Sequence, residues 1–221
     1  MMSAIDYLRE DGEGPFKVWH VPDVVAESPE QVRLALVFES PHVNELAAGL
    51  PVVGQSGRSA LRYLSQNPTA SEPLGQFVAQ RVSTGDGRIA IVNVCNVPMQ
   101  AAAFGERDAP NLDSAEWAMI EKVRTSRSVS LGSMRAGAVR ATSEVLVDRL
   151  RTRLAAIGSG QDCVVVAAGV FAKRMVAAVQ DDLTNPALEV PHPSYNQWNR
   201  QSNQHLDAMM AMRALFMELT V

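Results

Sequence analysis

The sequence predicts an α/β fold, a three-layer α/β/α arrangement around a central, mostly parallel, four-stranded sheet. Three observations carry this. Four short apolar runs, at residues 33–38, 89–94, 162–168 and 187–190, have the length and character of buried strands. They are near-continuous apolar runs, as strands covered on both faces of a parallel sheet tend to be. Helical segments separate them, and alternation of strand and helix is the signature of this class. The chain has 221 residues, 47% hydrophobic and 20% charged, enough for one domain with a sizeable core.

The elements follow in order. Residues 1–32 are mixed and polar, and read as an N-terminal arm: a short helix, then irregular chain. The main domain spans 33–221, opening with the strand at 33–38. Residues 42–57, rich in Gly and Pro, read as a long loop. A helix is expected over 59–66, with Leu61 and Leu64 apolar and Pro68 ending it, and another over 75–82. Gly85-Asp86-Gly87 is a turn into the strand at 89–94. Residues 98–113 read as loop, and 114–123 as helix capped by Asp113 or Ser114. A break is expected at 132–137. The segment 138–157 follows as a long amphipathic helix, with Val139, Val145, Leu146, Leu150 and Leu154 on one face. The strand at 162–168 leads through Gly169 into a helix over 170–179; the strand at 187–190 and a last helix over 202–219 complete the chain.

Composition narrows the function. No apolar run reaches membrane-spanning length, and the first nine residues lack a signal-peptide profile, so a cytoplasmic monomer is expected. Cys95 and Cys163 sit in apolar runs and read as buried thiols in a reducing compartment. Two cysteines do not make a four-thiolate iron–sulfur site, and the histidines show no metal-ligand spacing, so no metal or other cofactor is expected. The net charge of −4 does not mark a nucleic-acid binder, although a local basic patch acts over a Debye length of ~8–10 Å. All but three of the 20 basic residues are arginine, the side chain suited to bidentate phosphate contact; the exceptions are Lys17, Lys122 and Lys173.

Three strand ends carry the polar chemistry. They are Phe38-Glu39-Ser40-Pro41-His42, Asn93 within Ile91–Asn96, and His192-Pro193-Ser194. Ligands of open parallel sheets sit at the carboxyl ends of the strands, so Glu39, Asn93 and His192 are expected to share one pocket. A carboxylate can stabilise an oxocarbenium-like sugar and activate water, as in glycoside hydrolysis. A histidine can hydrogen-bond a developing anion. An asparagine amide donates and accepts, as reading the edge of a pyrimidine requires.

The blocks and their order resemble the uracil-DNA glycosylase superfamily, closest to its iron–sulfur branch but without the cluster cysteines. Glu39-Ser40-Pro41-His42 is similar to that branch's Glu-Ala-Pro-Gly, and Gly49 to Gly57 to its Gly-Arg-Pro-Phe-Val-Gly-X-Ala/Ser-Gly block. Ala167 to Lys173 resembles its Leu-Gly-X-X-Ala segment, and His192-Pro193-Ser194 its His-Pro-Ser motif. The resemblance covers roughly residues 33–215.

It implies a monofunctional DNA glycosylase. Glu39 and His192 would be catalytic, and Ser40, Pro41, His42, Val52 and Asn93 would bind the base. Gln55, Ser56, Gly57, Ser194, Tyr195, Trp198 and Arg200 would meet DNA, with Tyr195 or Trp198 as a wedge. The partner would be single- or double-stranded DNA. No lysine lies in the strand-end motifs that carry Glu39, Asn93 and His192, which argues against a Schiff-base lyase step. Val52 stands where the family's uracil-stacking Phe lies, and His42 where some members use an excluding Tyr. The excised base is therefore either uracil or another deaminated base, or a bulky 5-substituted cytosine of phage DNA removed in antiviral defence. Two further classes remain: a non-catalytic nucleic-acid-binding relative and a hydrolase of nucleosides or esters. The absence of Gly-X-Ser-X-Gly weighs against the ester version.

Overall fold

The computed structural model describes residues 3–9, 14–126, 137–157 and 162–221. The sheet has four strands: β1 (Leu34–Phe38), β2 (Ile89–Asn93), β3 (Val164–Ala168) and β4 (Leu188–Val190). All three pairings are parallel, in the order β2-β1-β3-β4. The expected sheet is thus observed, and it is parallel throughout.

Side-chain alternation along each strand feeds two separate cores. Ala35, Val37, Ala90, Val92, Val165 and Ala167 face one layer. It is built by α1 (Ala4–Leu8), α5 (Ser114–Thr125), α6 (Ala138–Ile157) and α7 (Val170–Ala177). Leu34, Leu36, Phe38, Ile89, Ile91 and Val166 face the other. That layer is built by α3 (Gln55–Leu64), α4 (Leu74–Ser83) and α9 (Asp207–Thr220). Burial on both faces is why the strands read as unbroken apolar runs.

The N-terminal arm is woven into this body. Val21 and Val32 are fully buried, and Val24 makes an antiparallel bridge to Ile91 of β2. Asp23 beside it accepts from the Asn93 N–H at 3.1 Å and the Asn96 amide at 2.8 Å. It also pairs with Arg153 of α6 at 2.8 Å. Arg153 donates in turn to the carbonyls of Asn93 (2.7 Å) and Val94 (2.8 Å), so the carboxyl end of β2 is pinned from both sides.

Three expectations change. The loop expected over 42–57 contains α2 (Val43–Ala48), too short to show a helical period in sequence. It is organised by Glu45, whose carboxylate accepts the His42 N–H at 2.7 Å. Helix α3 starts at Gln55 rather than at residue 59, so Gln55, Ser56 and Gly57 form its first turn. The last helix is divided into α8 (Gln201–Gln204) and α9, with Leu206 between them in extended backbone as the residue capping α9. The break expected at 132–137 lies outside the described residues except for Gly137. Asp113 caps α5 as expected, accepting from Ala115 and Glu116 N–H groups at 2.9 Å. Cys95 and Cys163 are free and buried, and burial pushes both thiols up to about 11.

Gly57 is required by a close approach. The chain at 51–54 runs directly over α3, and a Cβ at position 57 would overlap the Val52 carbonyl oxygen. The Cβ is fixed by the main chain and the oxygen it meets is backbone, so the clash cannot relax by a rotamer change. Gly57→Ala is expected to lower stability by about 1–3 kcal/mol, the usual range for overpacking. The check is the urea midpoint at unchanged m-value; an unshifted midpoint would show that the loop moves freely.

Candidate active site

A cavity of about 620 Å³ opens at the carboxyl ends of β1, β2 and β4. Glu39, Asn93 and His192 all line it, as do Ser40, His42, Val52, Gln55, Ser56, Gly57, Ser194 and Tyr195. Parallel register explains the convergence. Phe38 pairs with Asn93 across β1 and β2, so Glu39 leaves the sheet beside the Asn93 strand end. His192 follows β4 by two residues.

Asn93 is 2% exposed. Its main chain is held by Asp23 and Arg153, yet its side-chain Nδ2 has no hydrogen-bond partner among the described residues. A buried amide donor without a partner costs about 1–3 kcal/mol. Lining a cavity, it is a donor ready for a ligand acceptor.

Glu39 is held from one side. Gln100 Nε2 and Arg124 Nη1 both donate to Oε1, each at 3.3 Å. Oε2 has no hydrogen bond among the described residues. Arg124 is itself fixed by two bonds to Glu121, at 2.6 and 3.0 Å. That pairing, together with the Glu39 charge, raises the guanidinium above its ordinary value.

His192 packs edge-on against Phe38, with ring centroids 6.3 Å apart at 90°. Gly169, at φ 95°, makes room: a Cβ there would meet the His192 Cβ at 3.0 Å. The Ser194 N–H donates to His192 Nδ1 at 3.2 Å, and Ser194 Oγ lies 2.8 Å from the same atom. Nδ1 is therefore an acceptor, and the network assigns the proton to Nε2. Burial lowers the imidazole below its ordinary value of 6.5, which favours the neutral ring.

This shift has a stability consequence. An unfolded chain protonates its histidine near pH 6.5, whereas the folded ring resists protonation. The contribution is complete above about pH 6.5 and is lost as the pH falls through the lowered folded value. Between pH 7.5 and 5.5 the urea midpoint should therefore drop more for the parent than for His192→Gln. Parallel declines in the two proteins would remove His192 as the source.

The loop over α3 carries strain. Val52 is β-branched, buried and at φ 55°, a conformation rare for its type. Its N–H donates to Glu45 Oε1 at 2.5 Å, and its carbonyl accepts from the Gly75 N–H at 3.2 Å. Burial raises the Glu45 carboxyl against the opposing pull of the His42 and Val52 N–H groups.

Behind His192, Tyr195 and Asn196 both take left-handed backbone angles, φ 54° and 57°. Asn196 is tied to Ser59 of α3 at 2.7 Å, and Tyr195 stands 87% exposed at the cavity rim.

Three expected site residues lie elsewhere. Pro41 is buried beside the cavity without lining it. Trp198 is fully buried, donating to the Pro191 carbonyl at 2.6 Å and packing on Phe38 and Tyr63, so it is core and not a surface wedge. Arg200 is exposed outside the cavity, with Nη2 3.3 Å from the Tyr195 carbonyl.

The sequence reading missed Gln100, Arg124, Glu45 and Asn44, which all line the cavity. Gln100 follows a strand carboxyl end, a placement that could have marked it. His42-x-x-Glu45 has capping-box spacing. Nothing local links Arg124 to Glu39, since the two are 85 residues apart. Among the described residues no group of three or more His, Cys, Asp or Glu side chains can hold a metal ion. No described helix is long and apolar enough to cross a membrane. No protein-family model matches the chain, and no curated protein matches its sequence.

Proposed function

We propose that this chain is a monofunctional DNA glycosylase that hydrolyses the N-glycosidic bond of a flipped-out pyrimidine and leaves an abasic site. The observation that carries the reading is the convergence of three complementary groups in one cavity. They are a carboxylate with a free oxygen, a buried amide with a free donor, and a neutral imidazole bearing its proton on Nε2.

In this reading Asn93 meets the edge of the base. Glu39 Oε2 orients a water and takes its proton as the oxygen attacks the anomeric carbon. The C–N bonding pair leaves with the base, and His192 Nε2–H donates to the carbonyl oxygen that gains charge. The Glu39 carboxylate also faces the cationic sugar of the transition state.

The cavity rim supports a nucleic-acid partner. Helix α3 points its first turn at the cavity, and the N–H groups of Gln55 and Ser56 have no carbonyl within the helix to receive them. Such an end favours a phosphate. Tyr195, on its strained loop, is placed to enter the space a flipped nucleotide leaves. Binding should weaken steeply with salt despite the net charge of −4.

The volume of about 620 Å³ falls within the ~300–1,000 Å³ that takes drug-sized ligands, so it exceeds one small ring. With aliphatic Val52 in its wall, the site favours a pyrimidine with a bulky polar 5-substituent over uracil, and hence a role against phage whose DNA carries such cytosines.

Paired digestion of uracil-containing DNA and of phage DNA with hydroxymethylated or glycosylated cytosine tests this, with abasic sites scored in each. Abasic sites in the phage DNA are the expected result. Release from uracil DNA alone would overturn the enlarged-base reading. Release from free nucleosides but not from DNA would make the chain a nucleoside hydrolase.

A further inference from the structure

A second cavity, of about 440 Å³, is lined by Leu50 and Val53, whereas Val52 between them lines the first. The two share Asn44 and Gly54, so they adjoin at the start of α3. Gly54 lets them meet there: a Cβ at that position would come within 3.2 Å of Asn44 Nδ2.

The second cavity has the chemistry of a base site. Val53 and Pro73 supply apolar surface. The side-chain amides of Asn44 and Gln76 have no hydrogen bond among the described residues. Among the described residues Arg58 bonds only through Nε, which donates to the Ser71 carbonyl at 3.2 Å, and its terminal nitrogens make no hydrogen bond. Amides and a guanidinium are the groups that read base edges, and apolar faces take the ring.

We infer that this second cavity binds the base of a nucleotide next to the excised one, on the same strand. The inference rests on the glycosylase reading for its first cavity. With the excised base in that cavity and the intervening phosphate at the α3 N-terminus, the neighbouring base reaches the second cavity, which adjoins the first at Gly54. A base enclosed in that cavity has left its stack and its pairing partner, so the proper substrate is single-stranded DNA, read in its sequence context.

The test uses short single strands with a central uracil, or the modified cytosine if that is the better substrate, and each of the four bases on either side. Base release is measured for these strands and for the corresponding duplexes. In parallel, fluorescence anisotropy follows binding of the same strands carrying a non-cleavable abasic analogue at the centre.

Rates and affinities on single strands should vary about 10-fold with the identity of one neighbour, as a single good edge contact allows. The spread should collapse in Gln76→Ala and in Arg58→Met, each checked for an unchanged melting temperature. Gln76 is exposed, so its truncation spares the core. The spread should also vanish in duplexes, where the neighbour is paired.

Uniform affinity for all neighbours, or a spread that survives both substitutions or persists in duplexes, would overturn the subsite. If no strand loses its base while affinity still depends on the neighbour and on Gln76, the glycosylase reading fails and the subsite stands.

Discussion

Glu39→Gln slows base release by about 10²–10³-fold, the usual cost of removing one electrostatic stabiliser from a transition state. The substitution keeps the shape of the side chain. A glutamine carbonyl can still accept from Gln100 and Arg124, whose two bonds now converge on Oε1. What disappears is the negative charge and the acceptor lone pairs of Oε2. Affinity for DNA should stay near that of the parent, because no positive group is lost. His192→Ala should slow release to a similar degree, since it removes the Nε2–H donor, whereas His192→Gln retains a donor and should lie between. Single-turnover release on modified DNA, with affinity measured separately, provides the check. Parent-like rates in both Glu39→Gln and His192→Ala would take these residues out of the chemistry.

Arg153→Met lowers stability by about 3 kcal/mol, toward the lower end of the range for breaking a buried ion pair because some solvent reaches it. The side chains of Asp23 and Arg153 are 12% and 21% exposed. Without the guanidinium, Asp23 keeps its charge beside the Asn93 N–H and the Asn96 amide but loses its only ion-pair partner among the described residues. The carbonyls of Asn93 and Val94 lose a donor as well. The effect should therefore reach the site, with weaker base release as Asn93 drifts. Urea denaturation measures the stability loss. The double variant Asp23→Asn with Arg153→Met should recover part of it, because the uncompensated charge is gone. A double variant no more stable than Arg153→Met alone would place the cost in the carbonyl contacts instead of the ion pair.

The sheet was legible because its physics is local to each strand. Burial on both faces demands unbroken apolar runs, and those runs stand out whatever their partners are. Helix α6, twenty residues long, was legible for the same reason: length lets a period show. Helix α2 has six residues and was not legible, because its stability comes from Glu45 and from packing.

Glu39, Asn93 and His192 could be named as a set from sequence because each follows a predicted strand, and parallel topology sends all such ends to one edge. Trp198 and Tyr195 could not be separated this way. Both are aromatic residues in one short loop, and only two consecutive left-handed residues turn Tyr195 outward while Trp198 stays beneath Phe38.

Arg124, Gln100 and Arg153 lay further beyond reach. Their partners are 85, 61 and 130 residues away, and an isolated arginine or glutamine carries no mark of which carboxylate it will meet. By itself, then, the sequence determined the strands, their mostly parallel direction and the acidic, amide and imidazole groups at their ends, because hydrophobic patterning and strand–helix alternation are properties of short segments. Only the tertiary structure decided which oxygen of Glu39 is left free, which nitrogen of His192 keeps its proton and which aromatic ring reaches the surface. Those depend on hydrogen bonds and packing between segments that meet only when the layers close.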